Sequence, residues 1–229
     1  MSHSNLQLCQ LAYDGNIGHI QKLLAENNDL LHKRDQDGRT ALHWAASAGN
    51  VDITKLLLSH NAKVNVMDDS EWTALMIATS AGRKEVVSVL LNEGADVNSV
   101  NRTGQCALHY AASKDHYDIA VFLIENGAHT TVGDWVNATP LHRAASKGLL
   151  KMVQLLLINR ADVHYTDTEG NSALHVACQD DALDIAKLLI EHGADIHKQN
   201  KEKKTPLDYV KPVSRNTLVN AYNSCQIPT

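Results

Sequence analysis

Aromatic residues are scarce in this chain: they make up 4% of it, and Phe122 is its single phenylalanine. A core of large rings is thereby excluded. The apolar 44% must pack through Ala, Leu, Ile and Val, which suits closely apposed helices. No uninterrupted apolar stretch is long enough to span a bilayer. The N-terminus, Met1-Ser2-His3-Ser4-Asn5, carries no basic region followed by an apolar one. The expectation is therefore a soluble chain that is not secreted. The four cysteines, Cys9, Cys106, Cys178 and Cys225, form no C-x-x-C pair, and a reducing intracellular compartment is the simplest reading. A net charge of −5 lacks the basic excess that a general nucleic-acid binder uses to neutralise phosphates.

What is present is a repeat. Thr40-Ala41-Leu42-His43 recurs as Thr73-Ala74-Leu75-Met76, Cys106-Ala107-Leu108-His109, Thr139-Pro140-Leu141-His142, Ser172-Ala173-Leu174-His175 and Thr205-Pro206-Leu207-Asp208, always 33 residues further on. That period with a T-P-L-H core is the ankyrin signature. The spacing predicts an all-α repeat solenoid in which each unit is a helix-turn-helix followed by a β-hairpin loop. In the second unit, Asp35-Gln36-Asp37-Gly38-Arg39 reads as the turn, and Thr40 as the hydroxyl N-cap of a helix over Ala41–Ala48. Gly49 ends that helix, and Val51–Ser59 forms the second one. Upstream, Leu8, Gly15, Leu23 and Leu24 align at a spacing of 34, so one extra residue lies in Asn27–Leu31. At the far end, Pro212 is expected to stop the first helix of the last unit early. Arg215–Tyr222 forms its second helix, and Asn223–Thr229 is expected to fray. The reading is a single domain over 1–229 with seven repeats, at approximately 1–37, 38–70, 71–103, 104–136, 137–169, 170–202 and 203–229. The first and last are atypical caps.

Thirteen histidines invite a metal site. His43, His109, His142 and His175, however, share one repeat position, where an imidazole can bond the backbone of the neighbouring hairpin. Repeats stack about 10 Å apart, too far for ligands that must sit about 2.0–2.3 Å from one zinc ion. No metal, cofactor or catalytic residue is expected. The chain has no phosphate-cradling glycine loop, no nucleophile elbow and no enclosed pocket. Val176-Ala177-Cys178-Gln179-Asp180 approaches the L-x-C-x-E pattern that binds the retinoblastoma pocket. It departs at both anchors, and core packing accounts better for Cys178.

Such an architecture binds proteins through its hairpin tips and the exposed side of its first helices, which line a concave face. There the sequence places Asp37, Arg39 and Trp44, then Asp69 and Trp72, then Arg102, Tyr110 and Lys114, then Trp135, Arg143 and Lys147, and finally Glu169. All three tryptophans fall in this set, and tryptophan and arginine are enriched among interface hot spots. Charge is graded along it. Asp35, Asp37, Asp68, Asp69 and Glu71 come early, and Arg102, Lys114, Arg143 and Lys147 in the middle, an order that steers a partner into one register.

Several stretches carry a more specific likeness: Asp35-Gln36-Asp37 through Arg39-Thr40-Ala41-Leu42-His43-Trp44-Ala45, Leu108-His109-Tyr110-Ala111-Ala112-Ser113-Lys114, His142-Arg143-Ala144-Ala145 with Lys147-Gly148, Asp167-Thr168-Glu169-Gly170-Asn171, and Asn200-Lys201-Glu202 with Lys204-Thr205-Pro206-Leu207. In these the chain resembles the gankyrin family, seven-repeat ankyrin assembly chaperones of the 26S proteasome regulatory particle. The resemblance implies a non-enzymatic monomer, in the cytoplasm and nucleus, that grips the C-terminal domain of one proteasomal ATPase subunit. It implies that Arg39 and Lys114 meet partner carboxylates, that Asp37 and Asp69 meet partner arginines, and that binding delays docking of the base onto the core particle. The alternatives are an ankyrin-type regulator of a cyclin-dependent kinase or a ubiquitin-ligase adaptor. No nucleic acid or membrane is expected as a partner.

Overall fold

The computed structural model describes residues 3–225. Thirteen α-helices follow one another among them: α1 (His3–Asp14), α2 (Ile17–Glu26), α3 (Ala41–Ala48), α4 (Val51–Ser59), α5 (Ala74–Ser80), α6 (Lys84–Asn92), α7 (Ala107–Ser113), α8 (Tyr117–Glu125), α9 (Pro140–Ser146), α10 (Leu150–Ile158), α11 (Ala173–Gln179), α12 (Leu183–Glu191) and α13 (Pro212–Cys225). The chain is an all-α repeat solenoid. It divides into two compact units, one of residues up to Ala111 with Asp118–Ala128, the other of Ala112–Tyr117 with His129 onward.

Helices of seven to nine residues are too short to persist alone in water, so packing holds them. In the first unit the first helices bury Ala45, Ala46, Ala78 and Ala111 completely. A methyl side chain lets neighbouring helices approach closely and costs no rotamer entropy. The second helices supply the larger volumes at i and i+4: Ile53 with Leu57 on α4, Val86 with Leu90 on α6, Ile119 with Leu123 on α8. The second unit repeats the scheme with Ala144, Ala145 and Ala177 against Met152, Leu156, Ile185 and Leu189. Its core is aliphatic, as the shortage of aromatics requires.

The ends of the chain differ from the sequence expectation in detail. The extra residue of the first repeat is taken up by a 3-10 turn, Asn28–His32, which buries Leu30 and Leu31. In the last repeat a 3-10 turn over Pro206–Asp208 replaces the whole first helix. Pro212 does not terminate that helix but opens α13, where a residue without an N–H costs nothing in the first turn. The helix then runs three residues past Tyr222, through part of the segment expected to fray. Residues 226–229 of that segment lie outside the described residues. The hairpin loops also form no extended ladder: only isolated antiparallel bridges, Met67 to Thr73 and Thr166 to Ser172, occur among the described residues.

Candidate functional site

The hairpins are built on an Asp or Asn that recurs every 33 residues: Asp35, Asp68, Asn101, Asp134, Asp167 and Asn200. Each uses its Oδ1 to accept two backbone N–H groups, two and four residues on. Its own N–H donates to the carbonyl four residues later, as in Asp35 to Arg39 at 2.8 Å and Asp68 to Trp72 at 2.9 Å. One side chain thus closes each tip, the Asx-turn device. Between them the backbone swings through positive φ, at Gly38 (74°) and also at Glu71 (63°), Asn137 (57°) and Lys203 (59°). A Cβ at Gly38 would lie 2.2 Å from Asp69 Oδ1, so glycine is required there.

In four of the six hairpins the second polar atom reaches nine residues ahead, onto the first helix or, in the last repeat, just past the 3-10 turn, and its chemistry matches what it meets. Asp35 Oδ2 accepts from Trp44 Nε1 at 2.7 Å. Asn101 Nδ2 donates to Tyr110 Oη at 2.7 Å, and that hydroxyl donates to Gln105 Oε1. Asp134 Oδ2 accepts from the Arg143 guanidinium. Asn200 Nδ2 donates to Tyr209 Oη at 2.9 Å. Carboxylates face donors, and amides face a hydroxyl that can accept. Where the helix offers only Ile77, Asp68 Oδ2 accepts from Arg39 Nε of the preceding hairpin at 3.0 Å. Where it offers Val176, Asp167 Oδ2 accepts from Asn171. Burial would raise the Asp134 carboxyl, but Arg143 and the N–H groups of Ala138 and Val136 hold it below the usual carboxylate range.

The histidines do what their shared position suggests. Nδ1 of His43 accepts the Thr40 N–H at 3.1 Å, so its proton sits on Nε2, which donates to the Trp72 carbonyl at 3.1 Å. His142 bridges Thr139 to Asn171, and His175 bridges Ser172 to Lys204, in the same way. Burial pushes all three imidazoles below their ordinary pKa. In the fourth repeat Cys106 takes the cap position, its N–H and thiol both against His109 Nδ1. Burial also raises the thiols, Cys9 and Cys178 to about 12. Cys178 is buried in α11, which agrees with core packing. Among the described residues no group of three or more His, Cys, Asp or Glu side chains is placed to hold a metal ion. No described helix is long and apolar enough to cross a membrane.

In the first unit, Asp37, Asp69 and Arg102 are exposed at the tips, with Arg102 3.9 Å from Glu71. Asp35 and Asp68, which the sequence counts with the acidic face, instead turn inward as hairpin closures. Arg39 is half-buried, bonded to Asp68 and stacked over Trp44 at 5.4 Å. Trp44 is itself tied to Asp35 and packed edge-on against Tyr13. Trp72 lies against Tyr110, ring centres 4.5 Å apart. These rings form the surface of the stack while also holding it together. In the second unit, Lys114, Lys147 and Glu169 are exposed, and Arg143 is tied to Asp134. Trp135 is 71% exposed and its neighbour Val136 51%, a bare apolar tip. The sequence reasoning missed the Asx tethers. Their signal was present in the 33-residue recurrence of Asp or Asn and in the donor or acceptor nine positions later.

A repeated helix-turn-helix bearing such tips defines a protein-interaction module of the ankyrin class. A family model described as ankyrin repeats (3 copies) matches residues 8–101, 61–134, 91–167 and 141–210, and the chain belongs to the ankyrin-repeat family. It is similar to the 26S proteasome non-ATPase regulatory subunit 10 of Rattus norvegicus and of Homo sapiens, at 49% identity over 50 residues in each case. The corresponding subunit of Mus musculus is 48% identical over 50 residues. Each match spans 22% of this chain and 22% of the length of the relative. Among solved structures, the ankyrin repeat domain of Bcl-3, described as a unique member of the IkappaB protein family, superposes with a TM-score of 0.80. It is 27% identical, over 93% of this chain and 97% of that one.

Proposed function

We infer that this chain is a non-enzymatic chaperone for assembly of the 26S proteasome regulatory particle base. It binds the C-terminal domain of one ATPase subunit through its hairpin tips and first helices. The observation that carries the reading is the 49% identity to a proteasome regulatory subunit over 50 residues, in a chain whose fold is an interaction module. The tips support it: exposed Asp37 and Asp69 suit partner arginines, Lys114 and Lys147 suit partner carboxylates, and Trp135 with Val136 offers the apolar anchor around which hot spots form. In this role the protein works as a monomer wherever regulatory particles are built, in the cytoplasm and nucleus, and turns over no substrate of its own.

The test is titration calorimetry of the purified chain against the C-terminal domain of each proteasomal ATPase subunit in turn. One of them is expected to bind, and Trp135→Ala should weaken it by about 30-fold, the loss of about 2 kcal/mol typical of a hot-spot ring. The melting temperature should not move, because that ring covers little. Failure of every domain to bind refutes the proposal. Arg39→Glu is unsuitable for this purpose, since it would set a second carboxylate against buried Asp68 and perturb the fold.

A further inference from the structure

Within each unit one backbone bond links a hairpin to the next: Asp69 N–H donates to Asp37 C=O at 3.0 Å, Arg102 to Ser70 at 3.1 Å, Thr168 to Val136 at 2.9 Å and Lys201 to Glu169 at 2.9 Å. The acceptor is always the residue two places after the hairpin's Asp or Asn. The last hairpin among the described residues presents the same carbonyl on Glu202, and the 3-10 turn Pro206–Asp208 and α13 follow it. Among the described residues no backbone N–H bonds to that carbonyl. It is an open edge, and open edges accept strands from other chains.

The side chains around this edge are mostly basic. Lys198, Lys201, Lys203, Lys204, Lys211 and Arg215 oppose only Glu202 and Asp208 along that stretch, in a chain of net charge −5. Lys198 Nζ donates to the His164 carbonyl, Lys211 pairs with Asp181 and Arg215 with Asp208. Lys204 sits 2.7 Å from Glu202 and 5.4 Å from the Tyr209 ring centre. Lys201 and Lys203 are exposed and form no ion pair among the described residues. Lys203 holds φ 59° at a register filled by Gly38, Gly104 and Gly170 in three hairpins and by Glu71 and Asn137 in two others. Its side chain is thus kept at a backbone cost of about 1–2 kcal/mol. Strain of that kind collects where a side chain is in use.

We propose that this edge docks an extended acidic segment of a partner protein, its main-chain N–H on the Glu202 carbonyl and its carboxylates on Lys201 and Lys203. The assignment does not depend on the ATPase contact. A phosphate-bearing polymer or surface would meet the lysines, but its phosphates have no N–H for the carbonyl, which favours a peptide.

The experiment is fluorescence anisotropy of a short fluorescein-labelled poly-glutamate peptide against the full chain at low and physiological salt. Saturable binding is expected, weakened at least about tenfold, or about 1.4 kcal/mol, by Lys201→Glu with Lys203→Glu. Lys201→Ala with Lys203→Gly should weaken it too while relieving the left-handed strain, so that a loss cannot be assigned to unfolding. A backbone N-methylated peptide should bind less well than its parent. Absence of saturable binding, equal binding by the variants, or tighter binding of a single-stranded oligonucleotide overturns the proposal. So does a silent peptide combined with self-association of the Lys201→Glu/Lys203→Glu protein, which would make the lysines a guard against edge-to-edge stacking.

Discussion

Acid should weaken this protein in a pH window set by its repeat histidines. His43, His142 and His175 are neutral in the fold because Nδ1 accepts an N–H and Nε2 donates to a carbonyl. A second proton has no place on Nδ1 without losing the cap bond, and burial opposes the charge, so all three folded pKa values lie below 6.5. The unfolded chain therefore binds more protons than the folded one once the pH drops below about 6.5. Stability is fully present above that value and falls as the pH descends through it toward the folded values. Each imidazole can contribute at most about 1.4 kcal/mol per pH unit. Between pH 6.5 and 5.5 the ceiling is about 4 kcal/mol for the three together, a large part of a typical margin of about 5–15 kcal/mol. Asp134 and Asp208 are held below the carboxylate range, so their stabilisation is present above about pH 4 and lost only beneath it, clear of this window. Urea unfolding at pH 7.5, 6.5, 5.5 and 5.0 reads the effect directly. His142→Leu should flatten the curve while costing about 2–5 kcal/mol at pH 7.5, since it strands the Thr139 N–H and the Asn171 carbonyl. Stability that is constant or rising from pH 6.5 to 5.0 would show that the imidazoles are not held neutral, and the tether model would fail.

Three further outcomes follow from the backbone and the buried pairs. Arg160→Gly should stabilise by about 1 kcal/mol in thermal melts, because Arg160 sits at φ 63° where the matching positions are Gly94, Gly127 and Gly193; a loss would mean its stem packs usefully. Gly38→Ala should cost about 1–3 kcal/mol in urea unfolding, the added methyl meeting Asp69 on a backbone at φ 74°; a neutral effect would show that this tip relaxes freely. Arg39→Glu should cost about 2–4 kcal/mol by the same measure, a value discounted for the partial exposure of Arg39 beside the 2%-exposed Asp68 side chain. It should recover in large part in the Arg39→Glu/Asp68→Asn protein.

The periodic part of this fold could be read from the sequence because each helix obeys one local rule. Thr40 caps, Ala45 and Ala46 permit close approach, Gly49 closes, and the structure returns α3 and α4 with the same bounds. Reading failed at the ends, where a repeat has one neighbour and local chemistry decides alone. Pro212 looked like a stop, yet a proline is equally a start, and only the missing helix before it tells the two apart. The face was half legible. Trp135, which its hairpin position places at a tip, is exposed in the structure, because a hairpin tip has few neighbours. Trp44, Tyr110 and Arg143 are half-buried, and each spends a polar group on a hairpin Asx. Residue type alone cannot reveal that commitment; the pairing with a residue nine positions earlier can.

That pairing bears on where specificity can reside. A side chain whose donor already serves a hairpin carboxylate cannot offer the same donor to a partner, and removing it charges the loss to folding before binding is tested. Trp44, Arg39 and Arg143 are therefore fixed rings and stems, with little freedom to vary. Among the described residues the side chains of Asp37, Asp69, Lys147, Trp135 and Glu169 hold no comparable bond, and they should change without disturbing a hairpin. If the tips carry the proposed contact, these positions are the ones through which partner choice can diverge. Exchanging them should redirect binding at constant melting temperature, whereas exchanges at the tethered positions should move melting temperature and affinity together.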